Sequence, residues 1–313
     1  MDKIEEKIIY ELSINSRQSF SQIARKIKIS KNTLQYRIKN LEKTSIVKYT
    51  LFVDWSRMGL QYTRIGLQLS NNTSVEHNKA IKFLESQENI KWLASVQGKM
   101  HIIFVYLSRD ISELVQFTED LKKNLGNNIE NIHLSNLQKL HISNNNFLFN
   151  KIISPPIEIS YSNIQSNTNN IEDKIISELS KNAGMTILDI SRKVHLTTKT
   201  VLEKIRRLTK NKIILGYSTS LSIHKYGYSQ YHIFWKAYNL DEQKIKKFIS
   251  YLNSQPYTSY VVESIGGLSN IESGIIVKTQ REMYEIGHEI KEKFNELIKD
   301  FDPMIIHEIH RSF

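Results

Sequence analysis

Residues 30–43 carry two kinds of side chain at two kinds of spacing. Leu34, Ile38 and Leu41 recur at i, i+4 and i+7 and make one apolar helical face, with Ser30 placed to cap the first turn. Lys31, Asn32, Thr33, Gln35, Tyr36 and Lys39 fall elsewhere on the helix. Amides can read adenine through paired hydrogen bonds, so Asn32 and Gln35 suit base edges, whereas Lys31 and Lys39 suit phosphate. Arg37 adjoins the core position Ile38 and suits either a phosphate or an internal carboxylate. Taken alone, this is also the pattern of an ordinary amphipathic surface helix.

Repetition changes that reading. Residues 4–46 and 171–213 align without gaps at an offset of 167, with 17 identities in 43 positions. The register slips by one at Gly216 and then resumes, pairing Tyr49 with Tyr217 and Gly59 with Gly227. The chain is a tandem duplication. In the second copy the exposed candidates are Thr198, Lys199, Thr200, Arg206 and Arg207, and Leu202 and Glu203 replace Gln35 and Tyr36. A carboxylate at 203 repels phosphate unless it accepts from cytosine. The two helices are therefore expected to differ in base preference or strength.

Other chemistry is sparse. The 313 residues include no cysteine, which excludes disulfides and thiolate chemistry. His307 and His310, three apart on a strand, point to opposite faces, and His133 and His141 have no acidic support, so no metal site is read. There is no phosphate-binding loop, and no cofactor is expected. The apolar runs are too short to cross a membrane, and the charged start of the chain is unlike a signal peptide, so a cytoplasmic protein is expected. The net charge of +11 is localised. Residues 2–48 hold 11 Lys and Arg against 5 Asp and Glu, and residues 171–215 hold 10 against 5, which together account for the whole excess. Concentrated positive charge on the segments bearing these helices is the footprint of a polyanion-binding surface.

Each copy opens with three short helices. Ser19 and Gln22 form a capping-box pattern before the second, and Thr186 and Asp189 stand at the matching positions. A tight turn then leads to the third helix, which makes a helix-turn-helix, and 46–53 and 213–221 supply strands for wings. The remainder reads βαββαβ, with strands at 62–69, 91–97, 101–107 and about 131–142 and helices at 74–86 and 111–125. The second copy has strands at 231–237, 259–265, 274–278 and 304–309 and helices at 241–252 and 281–299. The fold class expected is α+β, with two winged helix-turn-helix domains alternating with two ferredoxin-like βαββαβ domains. Their bounds are 1–50, 60–142, 171–218 and 228–313, with a linker at 143–170 whose Phe147, Leu148 and Phe149 are apolar enough to pack on a domain. Each open sheet has one bare face, expected to pair with the other sheet.

The markers Ile23-Ala24, Ser30, Thr33, Arg37-Ile38, Leu41-Glu42 and Ile46 carry a family likeness. So do Ile190-Ser191, Thr197, Thr200-Val201, Ile205, Leu208, Ile213 and Gly216-Tyr217 in the second copy. The chain resembles the leucine-responsive (Lrp/AsnC, feast/famine) regulator family. That resemblance implies a DNA-binding transcription regulator with double-stranded DNA as partner. It also implies sheet domains that form homo-oligomers and bind small-molecule effectors, often amino acids. The effector loop of that family has Gly followed three residues later by Asp; here Gly98 is followed by His101, and Gly266-Gly267 opens a longer loop with Glu272 further on. An amino-acid effector is thereby put in question. The same architecture resembles sirohaem decarboxylases, in which a His- and Arg-rich strand motif is expected near 94–101 and 262–267 and is missing here. A sensing or assembly scaffold without DNA binding is the third reading. On this sequence the chain is expected not to be an enzyme.

Overall fold

A computed structural model describes residues 2–161, 166, 168–238 and 241–312. The first copy opens with α1 (Lys3–Ile14), α2 (Phe20–Ile27) and α3 (Lys31–Thr44), and each helix is started by a side-chain cap. Asp2 accepts from the backbone N–H groups of Ile4 and Glu5, Ser19 and Gln22 cap each other, and Ser30 accepts from Thr33 N at 3.0 Å. Such caps satisfy N–H groups that have no partner within the helix. Lys28 ends α2 in the left-handed conformation, φ 60°, and so turns the chain sharply before α3. Ile8, Leu12, Ile23, Leu34 and Ile38 interlock in the core of this head.

β1 (Ile46–Val53) follows, then β2 (Gln61–Leu69), α4 (Ser74–Glu85), β3 (Ile90–Gln97), β4 (Ile102–Ser108), α5 (Ile111–Leu125) and β5 (Ile129–Ile142). The segment between copies contains α6 (Asn146–Phe149) and β6 (Ile157–Ser160), while residues 162–165 and 167 of the expected linker lie outside the described residues. Phe147 is buried edge-to-face against Tyr228, and Phe149 meets Tyr10 in the same way. β6 adds to β5 as a further strand, so much of this segment is fixed structure.

The second copy repeats the order with α7 (Asn170–Lys181), α8 (Ile187–Val194), α9 (Thr198–Lys210), β7 (Ile214–Leu221), β8 (Ser229–Ala237), α10 (Glu242–Asn253), β9 (Thr258–Ile265), β10 (Ile271–Val277), α11 (Gln280–Lys293) and β11 (Ile298–Arg311). Two expected boundaries are corrected. The helix read as 281–299 stops at Lys293, because Leu297 and Ile298 are needed in the core and begin the last strand. The strand read as 274–278 begins earlier, at Ile271.

Two further differences decide the architecture. β1 and β7 do not form a separate wing on each head; they pair antiparallel with each other, from Ile46 opposite Leu221 to Val53 opposite Ile214. Leu51 and Val53 thereby enter the core of the second head, and Leu221 enters that of the first. The two sheets also do more than face each other. β5 pairs with β2 along its first half and with β9 along its second, and β11 pairs likewise with β8 and then β3. With β4 bridging β2 and β3, and β10 bridging β8 and β9, the strands close into an eight-stranded ring. The cause is strand length: β5 and β11 have 14 residues each, enough to leave their own sheet and complete the neighbour's edge. Closure removes unpaired edges. Helices cover the outside over two apolar cores, and the inside is filled from both copies by Val96, Met100, Ile103, Phe234, Met304 and Ile306.

Candidate nucleic-acid interface

On α3 the apolar stripe Leu34, Ile38 and Leu41 is buried, which leaves Lys31, Asn32, Thr33, Tyr36 and Lys39 exposed and Gln35 half-buried. Tyr36 is 67% exposed, unusual for an aromatic ring in a folded core helix. Among the described residues neither Lys31 nor Lys39 has an ion-pair partner within the chain, so both cations are free to meet an anion. Thr33 shares its hydroxyl with the cap at Ser30, 2.8 Å away. Arg37 takes the second of its two expected roles: its guanidinium is bonded to Asp2 and lies 3.6 Å from Glu5, tying α3 back to α1. The N–H of Glu5 and then Arg37 hold the Asp2 carboxyl below its usual range, and Asp2 in turn raises Arg37.

The second head is built the same way and equipped differently. Thr197 caps α9 by accepting from Thr200 N at 3.1 Å, and His195 makes the left-handed turn after α8. Thr198, Lys199 and Arg206 are exposed and have no ion pair among the described residues. Arg207, expected on the outer face, is bonded through Nε to Glu172 Oε1 at 2.6 Å and through Nη2 to Oε2 of the same carboxylate. Glu172 is fully buried and also lies 3.9 Å from Lys204, so Arg207 serves the head's interior. Leu202 and Glu203 are exposed where the first head has Gln35 and Tyr36.

The heads are locked together. Besides the β1–β7 ribbon, Arg17 Nη1 donates to Ala183 O at 2.6 Å and Met185 O at 2.9 Å. The duplicated bonds Ser16 N to Tyr217 O and Ala183 N to Tyr49 O mark a pseudo-two-fold axis. The tandem copies therefore reproduce within one chain the arrangement that two protomers make in a symmetric dimer.

The glycine-loop candidates Gly98, His101, Gly266 and Gly267 pack closely on neighbouring strands. Gly98 sits over Met304 of the other copy, and Gly267, at φ 76°, packs so closely on Ser135 that a Cβ would meet its hydroxyl. Gly266 accepts from Ser135 Oγ at 3.3 Å, and His101 Nδ1 accepts from Leu69 N at 2.9 Å. What sequence reading missed lies inside the ring. Arg64 is paired with Glu272, which His232 Nε2 approaches to 2.9 Å, and His232 Nδ1 is 2.6 Å from the Tyr260 hydroxyl. In His232, Nδ1 shares a hydrogen bond with the Tyr260 hydroxyl, while Nε2 faces the Glu272 carboxylate without forming one. Burial and then Arg64 push its pKa well down. Glu272 alone would favour the charged ring, but its charge is already matched by Arg64, so the downward direction stands. Arg64 and His232 occupy equivalent positions of β2 and β8, but they differ in residue type and nothing in the sequence places β10's Glu272 between them.

Comparison with known proteins adds the lineage. The family described as winged helix-turn-helix DNA-binding matches residues 1–48 and 169–214, once in each copy. The regulator PH0045 of Pyrococcus horikoshii is 30% identical over 131 residues, 41% of this chain and 84% of that protein. LrpC, an HTH-type transcriptional regulator of Bacillus subtilis, is 31% identical over 121 residues, 38% of this chain and 80% of that protein. The chain belongs to the Lrp/AsnC family of helix-turn-helix transcriptional regulators. Either family relative spans well under half of the chain, as expected if one copy here corresponds to most of such a regulator. The solved structure of the siroheme decarboxylase NirDL covers 99% of this chain and is itself covered to 93%, with a TM-score of 0.66 at 12% identity. That likeness shows the shared fold of the whole tandem. It corrects the expectation that the chain is not an enzyme, because this Lrp/AsnC-type double architecture is one that an enzyme uses. Among the described residues no helix is long and apolar enough to cross a membrane.

Proposed function

We propose that this chain is a sequence-specific, DNA-binding transcription regulator that engages double-stranded DNA through two unequal heads held in one covalent pseudo-dimer, in the cytoplasm. The observation that carries the reading is the outer face of α3. Lys31 and Lys39, without ion pairs among the described residues, exposed Asn32 and Tyr36 and half-buried Gln35 are set on a helix whose other face is anchored in a basic head. Lys31 and Lys39 hold phosphate, and Asn32 and Gln35 read bases. On α9, Thr198, Lys199 and Arg206 make fewer base-reading contacts, and Glu203 weakens the approach to phosphate. A non-palindromic site follows from unequal heads on a two-fold frame. The sheet domains remain available for association with further copies.

The test is a gel shift and footprint on DNA upstream of the chain's own coding region, with salt varied. Replacing Lys31 and Lys39 together by Ala should lower affinity and flatten the slope of log K against log salt by about one to two units. Absence of salt-sensitive duplex binding by the intact protein refutes the reading. A second reading, an enzyme acting on a tetrapyrrole as NirDL does, draws on the whole-chain likeness and on the buried Arg64–Glu272–His232 cluster. Adding iron-uroporphyrin and following the Soret band tests it, and a bound spectrum supports it.

A further inference from the structure

Where the ring meets the β1–β7 ribbon there is a cavity of about 190 Å³. Its roof is the ribbon itself, through Thr50, Phe52 and Thr219, and its walls are Trp92, Val105 and Tyr260. Trp92 and Tyr260 are equivalent residues of β3 and β9, so the space lies between the copies. Thr219 is 4% exposed, and its Oγ1 has no hydrogen-bond partner among the described residues. An unpartnered buried hydroxyl on a residue that lines the cavity carries an uncompensated cost that a ligand's polar group would remove. The charge at this site is already balanced: Arg64 is matched by Glu272. An ionised ligand would lose its hydration and find no free counter-charge. The volume suits a single small ring, and Gln230 and His232 add polar groups to the lining.

We propose that this cavity binds a small, uncharged, ring-bearing molecule of about ten heavy atoms, its hydroxyl or amide end bonded to Thr219 and its ring between Trp92 and Tyr260. Because such a ligand touches both strands of the ribbon that joins the heads, its occupancy sets how the heads are held over the ring. That regulatory consequence rests on the DNA-binding reading; the binding site does not.

The probe is 4-fluorobenzyl alcohol followed by fluorine NMR on the full chain, with 4-fluorobenzoate as its charged counterpart. The alcohol should bind with Kd on the order of 1 mM, and the benzoate at least about tenfold more weakly. Thr219→Val, which keeps shape and removes the hydroxyl, should weaken the alcohol about fivefold. Val105→Trp, which fills the space, should abolish binding; if that variant fails to fold, Thr219→Val decides. Equal or tighter binding of the benzoate, no binding of the alcohol, unchanged binding in Thr219→Val, or displacement of the alcohol by iron-uroporphyrin each overturns the proposal. Gel shifts on the same samples keep the two ideas apart. Salt-sensitive DNA binding without probe binding sinks the cavity alone, and probe binding without DNA binding sinks the regulator reading alone.

Discussion

At the scale of single residues, neighbouring cations on the same helix do different work. Lys39 is exposed and has no ion pair among the described residues, whereas Arg37 is engaged by Asp2 and Glu5. Arg37→Met should lower the melting temperature of the first head yet leave the salt slope of DNA binding unchanged, and Lys39→Ala should do the reverse; thermal melts and salt titrations on both variants check this. Arg207→Met is expected to be costlier to fold, because it strips the bidentate partner from fully buried Glu172. About 1–2 kcal/mol is expected by chemical denaturation, less than for a fully buried pair because the Arg207 side chain is half exposed. The sequence showed that Arg37 had two candidate roles. Choosing between them needed the position of α1, which brings Asp2 across from 35 residues away.

At the scale of elements, periodicity identified the helices of both heads, because an apolar stripe at helical spacing and a capping side chain are local signals. Strand order within each βαββαβ unit was equally legible. The ends of α11 and β10 were not, since a run such as residues 294–299 satisfies a helical pattern until the core claims Leu297 and Ile298. The hairpin at Gly266-Gly267 shows how tertiary packing raises the stakes of a local residue. Gly267→Ala must hold φ 76° and also displace Ser135, so a loss of roughly 1–3 kcal/mol is expected by thermal or urea melting. Gly227→Ala, at φ 74° and ψ 23° in the left-handed helical region with open space around it, should cost only about 1 kcal/mol. Equal losses in the two variants would show that the contact with Ser135 is unimportant.

At the scale of the whole molecule, ring closure makes the copies one structural unit. Backbone amides at the junctions β3–β11 and β5–β9 should exchange with solvent as slowly as those at the centre of each sheet, which hydrogen exchange read by NMR will show. Fast exchange confined to the junctions would mean two separate sheets. The buried His232 adds a pH dependence. Its pKa is lower in the folded protein than the ordinary 6.5, so the unfolded chain binds the extra proton first. Stability is therefore fully present above about pH 6.5 and declines as the pH falls below it. Urea midpoints measured at successive pH values should show this decline, and His232→Gln should flatten that part of the curve.

The sequence by itself determined the duplication, the helix-turn-helix heads, the placement of positive charge and the ferredoxin-like order of elements. Each of these is written in spacing and composition within a few dozen residues. Only the tertiary structure decided what the copies do to each other. The exchange of β1 and β7 between heads, the closing of the ring by β5 and β11, and the Arg64–Glu272–His232 cluster all join residues far apart in the chain. Burial and edge pairing select such contacts among many partners of similar pattern. A period-2 strand announces which face it buries, but not which distant edge will complete it.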